Sequence, residues 1–445
     1  MKGKILKRLL CALLCIILVA GLTACGSSQT ASSTGPVTIK FFSNLPDRTT
    51  GQGKLEQTLL DNYMKENPNI KIEVEALQDE PFKQKFKAYT ASNNVPDIFM
   101  MWGGPAYLYP FAKAGYLAEL NPNDYKDSGF FDGSLQNFSM SGKLYGLPRN
   151  TDFWVLMYNK DLFDQNGVKV PTNYQELMDA ATAFRAKGIA PVAMNGKDKW
   201  NINEFIQDLV IQTSGDQEVM RKADLGMISF SKEPKILNAV NLMKQLMDVK
   251  LYQDAFTAAD YGAANNLFKQ GKAAMYYIGS WEMGLAADDS IPFKDKIHAI
   301  KLPSLDSSKN DLLAGFGGGY GVSAKSKVKP EALKLLNYMM KQDNWAKMAW
   351  QTGALIPAQK FDKYTTGKEN TLQKELANIL NSATSIAGYT WNDYSTPDYK
   401  ATVETLAQEV AAGLDTPQQF LEACDKAVAD NKDKLADIIA GYKAK

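Results

Sequence analysis

One histidine stands in the 445 residues, His298, and cysteine appears only as Cys11, Cys15, Cys25 and Cys424. Histidine is the usual side chain for moving protons near neutral pH, so its scarcity leaves acid–base catalysis little to work with. His298 itself sits in the strand-like run Lys296-Ile297-His298-Ala299-Ile300, where a structural or surface role is expected. With three of the cysteines in the first 25 residues, neither a disulfide framework nor a Cys/His metal cluster can be built from the rest. A Gly-x-Ser-x-Gly elbow and a phosphate-cradling lysine motif are missing as well. Catalytic residues, metal and cofactor are therefore all expected to be absent. The formal charge is only +1, which offers no basic face to displace the counterions of nucleic acid. The uncharged run from Leu9 to Gly21 is thirteen residues, too short for a span that needs ~20.

That short run does fit an export signal. Lys2, Lys4, Lys7 and Arg8 precede it and small residues follow, the charged, apolar and cleavage-site order of such signals. Leu22-Thr23-Ala24-Cys25 closes it and resembles a lipobox, the cleavage site of bacterial lipoproteins; a signal-anchor helix is the alternative. The resemblance implies removal of residues 1–24 and lipidation of Cys25. Two acyl chains would then hold the chain stably on the outer face of a cell membrane, in a Gram-positive bacterium. Losing the four leader cations takes the formal charge from +1 to −3. Residues 25–36, nearly all Ser, Thr, Gly and Ala, read as a flexible tether. Cys424, in Gln419-Phe420-Leu421-Glu422-Ala423-Cys424, is expected as a buried, inert thiol on a helix.

About 420 mature residues exceed what one core usually holds, which predicts two lobes. Val37 to Phe42 alternates and then turns apolar, predicting a strand. Leu55, Leu59 and Tyr63 predict a helix stopped at Asn67-Pro68-Asn69, and Ile70, Ile72, Val74 and Ala76 another strand. A helix from Phe82 to about Ser92 and a strand ending at Trp102 complete a doubly wound α/β pattern, whose ligands sit at the carboxyl ends of strands. The alternation restarts past residue 150. Strands are expected at Val155–Tyr158, Ile189–Met194 and Ala273–Ile278, and helices at Tyr174–Lys187, Asn203–Thr213 and Lys235–Val249. After Glu331 helices dominate, as if laid onto an existing sheet.

Seven tryptophans are present, and Trp102, Trp200, Trp281 and Trp391 each adjoin polar residues near a predicted strand end or loop. Indole stacks on the flat C–H faces of sugar rings, whose hydroxyls want carboxylates, amides and guanidinium groups; ordinary packing is the alternative for each. Arginine is rare after the leader, and scarce arginines tend to serve planar contacts. Arg48 and Arg149 lie where a cleft is expected, whereas Arg185 and Arg221 read as solvated charges. Gly317-Gly318-Gly319 reads either as backbone approached closely by something or as a tight turn.

Several segments together resemble the extracellular solute-binding proteins of carbohydrate-importing ABC transporters, related to the maltodextrin-binding protein. They are Tyr145-Gly146-Leu147-Pro148 with Leu156-Met157-Tyr158-Asn159-Lys160-Asp161-Leu162-Phe163, and Phe268-Lys269-Gln270-Gly271-Lys272-Ala273-Ala274-Met275 with Gly279-Ser280-Trp281. Pro96-Asp97-Ile98, Gly317 to Val322 and Thr416-Pro417-Gln418-Gln419-Phe420-Leu421 add weaker matches. Arg149 departs from the pattern, which usually has an apolar residue there. The resemblance implies an α/β, two-lobed periplasmic-binding-protein-like fold of type II with the ligand cleft between lobes. Lobe one would take 37–150 and 281–325, and lobe two 151–280 and 326–445. It also implies a monomer without chemistry of its own, which captures a sugar or oligosaccharide, closes on it by a hinge and delivers it to the transmembrane subunits of a permease. Trp281 is the first choice for a stacking platform, followed by Trp102, then Asp198, Trp200 and Asn201, with Trp391 as a further wall. Asp152, Glu282 and Asp393 are expected on hydroxyls, with Gly318 offering backbone, and Arg48, Arg149 and Tyr320 are expected among the ligand-binding residues. The rival readings are a lipid-anchored surface glycoside hydrolase, and the same scaffold holding a peptide or other small solute.

Overall fold

The computed structural model describes residues 35–305, 310–388 and 391–443. The leader, Cys25 and the tether up to Thr34 lie outside these residues.

The alternating segments at the start of the ordered chain form the first sheet. Val37–Ser43 pairs in parallel with Ile70–Ala76 on one side and with Ile98–Trp102 on the other. Parallel neighbours need crossovers, and the helices Gly51–Glu66 and Asp79–Ala91 supply them. Gly318–Val322 and then Leu147–Pro148 extend the sheet antiparallel. Phe41, Phe42, Leu59, Phe99 and Tyr320 fill its core, each stabilising the fold by ~1.5–3 kcal/mol through lost apolar surface.

The second sheet is built around Asp152–Asn159, a strand apolar almost throughout because both of its faces are covered. Trp154, Leu156 and Tyr158 point into one core, and Phe153, Val155 and Met157 into another. Ala273–Gly279 pairs antiparallel with it, and Ala190–Ala193 pairs in parallel with Ala273–Gly279. On the other side lie Ile297–Ile300 and Asp311–Gly315. One strand comes from the C-terminal region read as helical: Ser385–Gly388 pairs in parallel with Asp311–Gly315. The helix Trp200–Ser214 is buried nearly all round, polar residues included. Tyr277 donates to Asp208 at 3.0 Å and Gln212 donates to the Asp311 carbonyl at 2.8 Å, so those polar groups are satisfied. The helices Pro397–Ala411 and Pro417–Asp430 close this core, with Cys424 buried inside it.

The chain passes between the sheets at 149–152, at 315–318 and again beyond residue 352. These passages are hydrogen-bonded to one another. The Arg149 amide donates to the Gly318 carbonyl at 2.9 Å, and the Thr151 amide donates to that of Ile356 at 2.8 Å. The Thr151 hydroxyl reaches the Pro357 carbonyl at 3.1 Å. Sheet membership differs from the expected division in two places. Ile297–Ile300 and Asp311–Gly315, expected in lobe one, belong to the second sheet. The helix Lys329–Met339, expected in lobe two, packs its Ala332, Leu335 and Leu336 into the first core. Periodicity shows that such a segment is buried but carries no information about which sheet it joins.

Candidate functional site

A cavity of about 420 Å³ lies between the sheets, within the ~300–1,000 Å³ range of small-molecule sites. Residues after the carboxyl ends of strands build much of it. Asn44 to Asp47 follow the first strand, Trp102 ends Ile98–Trp102, and Trp281 follows Ala273–Gly279.

One wall is aromatic. Trp154 meets Trp281 edge to face with centroids 5.2 Å apart, and Trp200 lies 6.0 Å from Trp281. Hydrogen bonds fix the Trp154 and Trp281 rings. Trp154 Nε1 donates to Asn201 Oδ1 at 3.2 Å, and Asn201 in turn donates to Asn195 and to the Tyr277 carbonyl. Trp281 Nε1 donates to the Tyr261 hydroxyl at 3.1 Å, and that hydroxyl donates to Glu282, which also accepts from Asn265 at 2.8 Å. Burial pushes the Glu282 carboxyl above its ordinary range, against the pull of those two donors. Burial also lifts the Tyr261 hydroxyl well above its usual value, and the Glu282 charge adds to the shift.

The facing wall is occupied differently. Trp102 has the edge of Phe82 at 5.9 Å, Tyr107 at 5.5 Å and the Lys83 ammonium 4.9 Å from its ring centre, a cation–π contact that takes up ring face. Lys400, from the helix Pro397–Ala411, stands 5.4 Å from the Tyr107 ring centre and pairs with Asp393 and Glu404 at 2.9 Å each. The two sides touch at both edges of the cavity. The Ala106 amide donates to the Asp393 carbonyl at 3.1 Å, and Gln52 Nε2 donates to the Trp281 carbonyl at 2.8 Å.

Asp152 forms the floor. Burial raises its carboxyl from 3.8 to about 7, although the Arg149 charge and the amides of Gly318 and Gly317 favour the ionised form. Asn150 donates to the same carboxylate, and Arg149 donates to Asn44 at 3.0 Å. The glycine run thus serves close approach: a Cβ on Gly318 would lie 3.2 Å from Asn150 Oδ1 and 3.3 Å from Arg149 Nε.

Of the residues expected at the site, Trp102, Arg149, Asp152, Trp200, Trp281, Glu282, Gly318 and Asp393 line the cavity. Arg48 does not; its guanidinium pairs with the fully buried Glu56, which needs a counter-charge and also accepts from Tyr320 at 2.6 Å. That places Tyr320 in the core rather than on a ligand. Asn201 stands behind Trp154, and Asp198 accepts from Asn195 at 3.1 Å outside the lining, its carboxyl raised by burial to about 6. The Trp391 side chain lies outside the described residues, though its backbone belongs to the short turn Trp391–Tyr394. Arg185 and Arg221 are not the solvated charges expected. Arg185 donates to the Lys250 carbonyl at 2.9 Å, and Arg221 lies over Tyr394 at 3.9 Å. His298 stacks on Tyr158 and binds Glu375 at 2.7 Å. Sequence reasoning missed Gln52, Lys83, Tyr107, Tyr261, Asn265 and Lys400, and also Trp154, whose neighbours Phe153 and Val155 are apolar. The aromatic-polar adjacency used for tryptophan also marks Tyr261, in Asp260-Tyr261-Gly262. Among the described residues no cluster of His, Cys, Asp or Glu suits a metal ion, and no helix is long and apolar enough to cross a membrane.

Residues 47–344 match the model of the bacterial extracellular solute-binding protein family. The chain belongs to that family. It is similar to the multiple sugar-binding protein of Streptococcus mutans, 24% identical over 72% of this chain and 74% of that one. The galactooligosaccharide-binding protein of Bacillus subtilis is also 24% identical, over 94% of this chain and 96% of its own. Among solved structures, one from work on xylan utilization by Caldanaerobius polysaccharolyticus is 30% identical with a TM-score of 0.79, covering 88% of this chain and 99% of that one. A chitin oligosaccharide binding protein is 25% identical with a TM-score of 0.77, over 89% and 99%. The two sheets are thus the lobes of a two-lobed α/β solute-binding fold, and the cavity lies at the cleft between them.

Proposed function

We propose that this solute-binding protein captures a sugar or oligosaccharide and delivers it to the membrane subunits of an ABC importer. In this reading Cys25 and the tether hold it on the outer face of the membrane. The observation that carries the proposal is the tryptophan wall of Trp154, Trp200 and Trp281 set among carboxylates and amides, since apolar ring faces and ringed hydroxyls are what a saccharide presents together. The names of the sugar-binding relatives support the same class of ligand. Asp152 and Glu282 would hold hydroxyls and move no protons. The experiment is a calorimetric titration of the full chain with xylotriose, cellotriose, maltotriose, mannotriose, raffinose and triacetylchitotriose. Micromolar or tighter binding of at least one is expected, with a raised melting temperature because ligand binds only the folded state. No binding by any of them refutes the saccharide reading. Release of new reducing ends from a bound oligosaccharide would favour a hydrolase instead.

A further inference from the structure

Among the described residues seven carboxylates line the cavity against four cations, a formal excess of three negative charges. The cations are already matched. Lys269 pairs with Asp288 at 2.6 Å, Lys400 with Asp393 at 2.9 Å, Lys83 with Glu80 at 2.6 Å, and Arg149 acts on Asp152. Each lysine stands near more than one carboxylate, Lys83 near Asp79 as well as Glu80, Lys400 near Glu204 as well as Asp393 and Lys269 near Glu282 as well as Asp288, so the excess belongs to the cavity as a whole. Part of it spans the cleft: Asp79 opens the helix Asp79–Ala91 on the first lobe and acts electrostatically on Asp198, Tyr261 and Tyr276 of the second. Like charges on facing walls oppose closure, so a group brought between them is judged by its sign.

A second feature points the same way. Gln52 and Asn150, 9% and 2% exposed, line the cavity with amide oxygens that have no donor among the described residues. Trp200 Nε1 and Arg149 Nε are donors without an acceptor there. A hydroxyl serves both kinds of atom and an amine serves the acceptors, whereas a carboxylate can donate to neither amide.

Resting on the saccharide reading, we infer that the cavity selects its ligand by charge, taking uncharged or amine-bearing saccharides and rejecting those that carry a carboxylate, with Asp79 as a principal discriminating residue. The test uses the full chain and whichever oligosaccharide of the panel above binds. The same oligosaccharide is measured with one primary alcohol oxidised to a carboxylate and with that alcohol replaced by an amine; for xylotriose the acidic form is the glucuronosyl derivative. The acid is expected to bind at least about tenfold more weakly than the neutral parent, and the amine no more weakly than the parent, with the gap narrowing as salt screens it. Asp79→Asn is expected to shrink the acid-to-neutral ratio severalfold. An acid that binds as tightly as its neutral parent overturns the inference and leaves the saccharide reading standing. Failure of every panel member to bind overturns both. The ligand series on the unsubstituted protein decides the matter even if Asp79→Asn folds poorly.

Discussion

Replacing Asp152 by asparagine isolates what a carboxylate costs on the cavity floor. Burial, opposed by Arg149 and two backbone amides, lifts this carboxyl from 3.8 to about 7. Between roughly pH 4 and 7 the folded chain therefore keeps a proton that the unfolded chain has released, and stability falls as pH rises through that window. Below it both states are protonated and the contribution vanishes; above it the full penalty is present. Three units correspond to about 4 kcal/mol, and because the group borders a cavity rather than a sealed core, screening is taken to halve this to ~2 kcal/mol. Asparagine keeps an oxygen for the amides of Gly317 and Gly318. Turning over the Asn150 amide would bring its Oδ1, which has no donor among the described residues, to the place where its Nδ2 now meets the Asp152 carboxylate, ready to accept from the new Nδ2. Denaturant unfolding without ligand should show the two proteins within ~0.5 kcal/mol of each other at pH 4, and the variant more stable by ~2 kcal/mol at pH 8. Asp198 and Asp208, each raised by burial to about 6, slope the same way in both proteins and cancel in the difference. A difference that is the same at both pH values would refute the reasoning.

Trp281→Ala should weaken binding of the captured saccharide by ~2 kcal/mol, about thirtyfold, with Trp281→Phe losing less; calorimetry giving affinity within threefold of the native protein would contradict a stacking role. Arg48→Ala leaves Glu56 buried without its counter-charge and should cost ~3–5 kcal/mol in denaturant unfolding, while Arg48→Lys restores part. A Cβ on Gly319 would lie 2.2 Å from the Leu147 carbonyl and 2.6 Å from the Phe138 ring. Gly319→Ala is therefore expected to cost ~1–3 kcal/mol or more, and a loss under ~0.5 kcal/mol would mean that the edge strand simply moves aside.

The elements themselves were largely legible. Tyr174–Ala186, Pro234–Asp248 and Ala273–Gly279 fall within a residue or two of where periodicity, flanking Pro and Gly, and length put them. Pairing was not, because Asp311–Gly315 and Gly318–Val322 are separated by two residues yet belong to different sheets, and nothing in either pattern names a partner. At the site, tryptophans beside polar residues were readable from composition alone. Arg48 was misread for a reason that recurs: a rare arginine answers to whichever buried carboxylate the fold brings near, and Glu56 shows no sign in the sequence of being fully buried. Lys83 and Lys400 were invisible on the same ground. Lysine reads as surface, and only the tertiary fold lays both against Tyr107.

The floor of the cavity and the passages between the lobes are made of the same residues, 149–152 and 315–318, and this sets two kinds of contact apart. Thr151 is pinned to Ile356 and Pro357, and the Arg149 carbonyl accepts from Trp345 Nε1 at 2.6 Å, so the first passage is tied to the third and cannot bend alone. Asp152 ties it to the second through the amides of Gly317 and Gly318. In the proposed receptor a hydroxyl resting on Asp152 touches the segments that must move together when the lobes move. One stacked on Trp281 touches a ring carried by the second lobe alone. Floor contacts therefore act on closure as well as on affinity, while contacts to the wall act on affinity. Arg149, the one departure from the family pattern, stands where its charge supports Asp152 and its backbone joins the passages. Its polarity serves that position, while its Nε, without an acceptor among the described residues, would be left for a ligand hydroxyl in the proposed receptor.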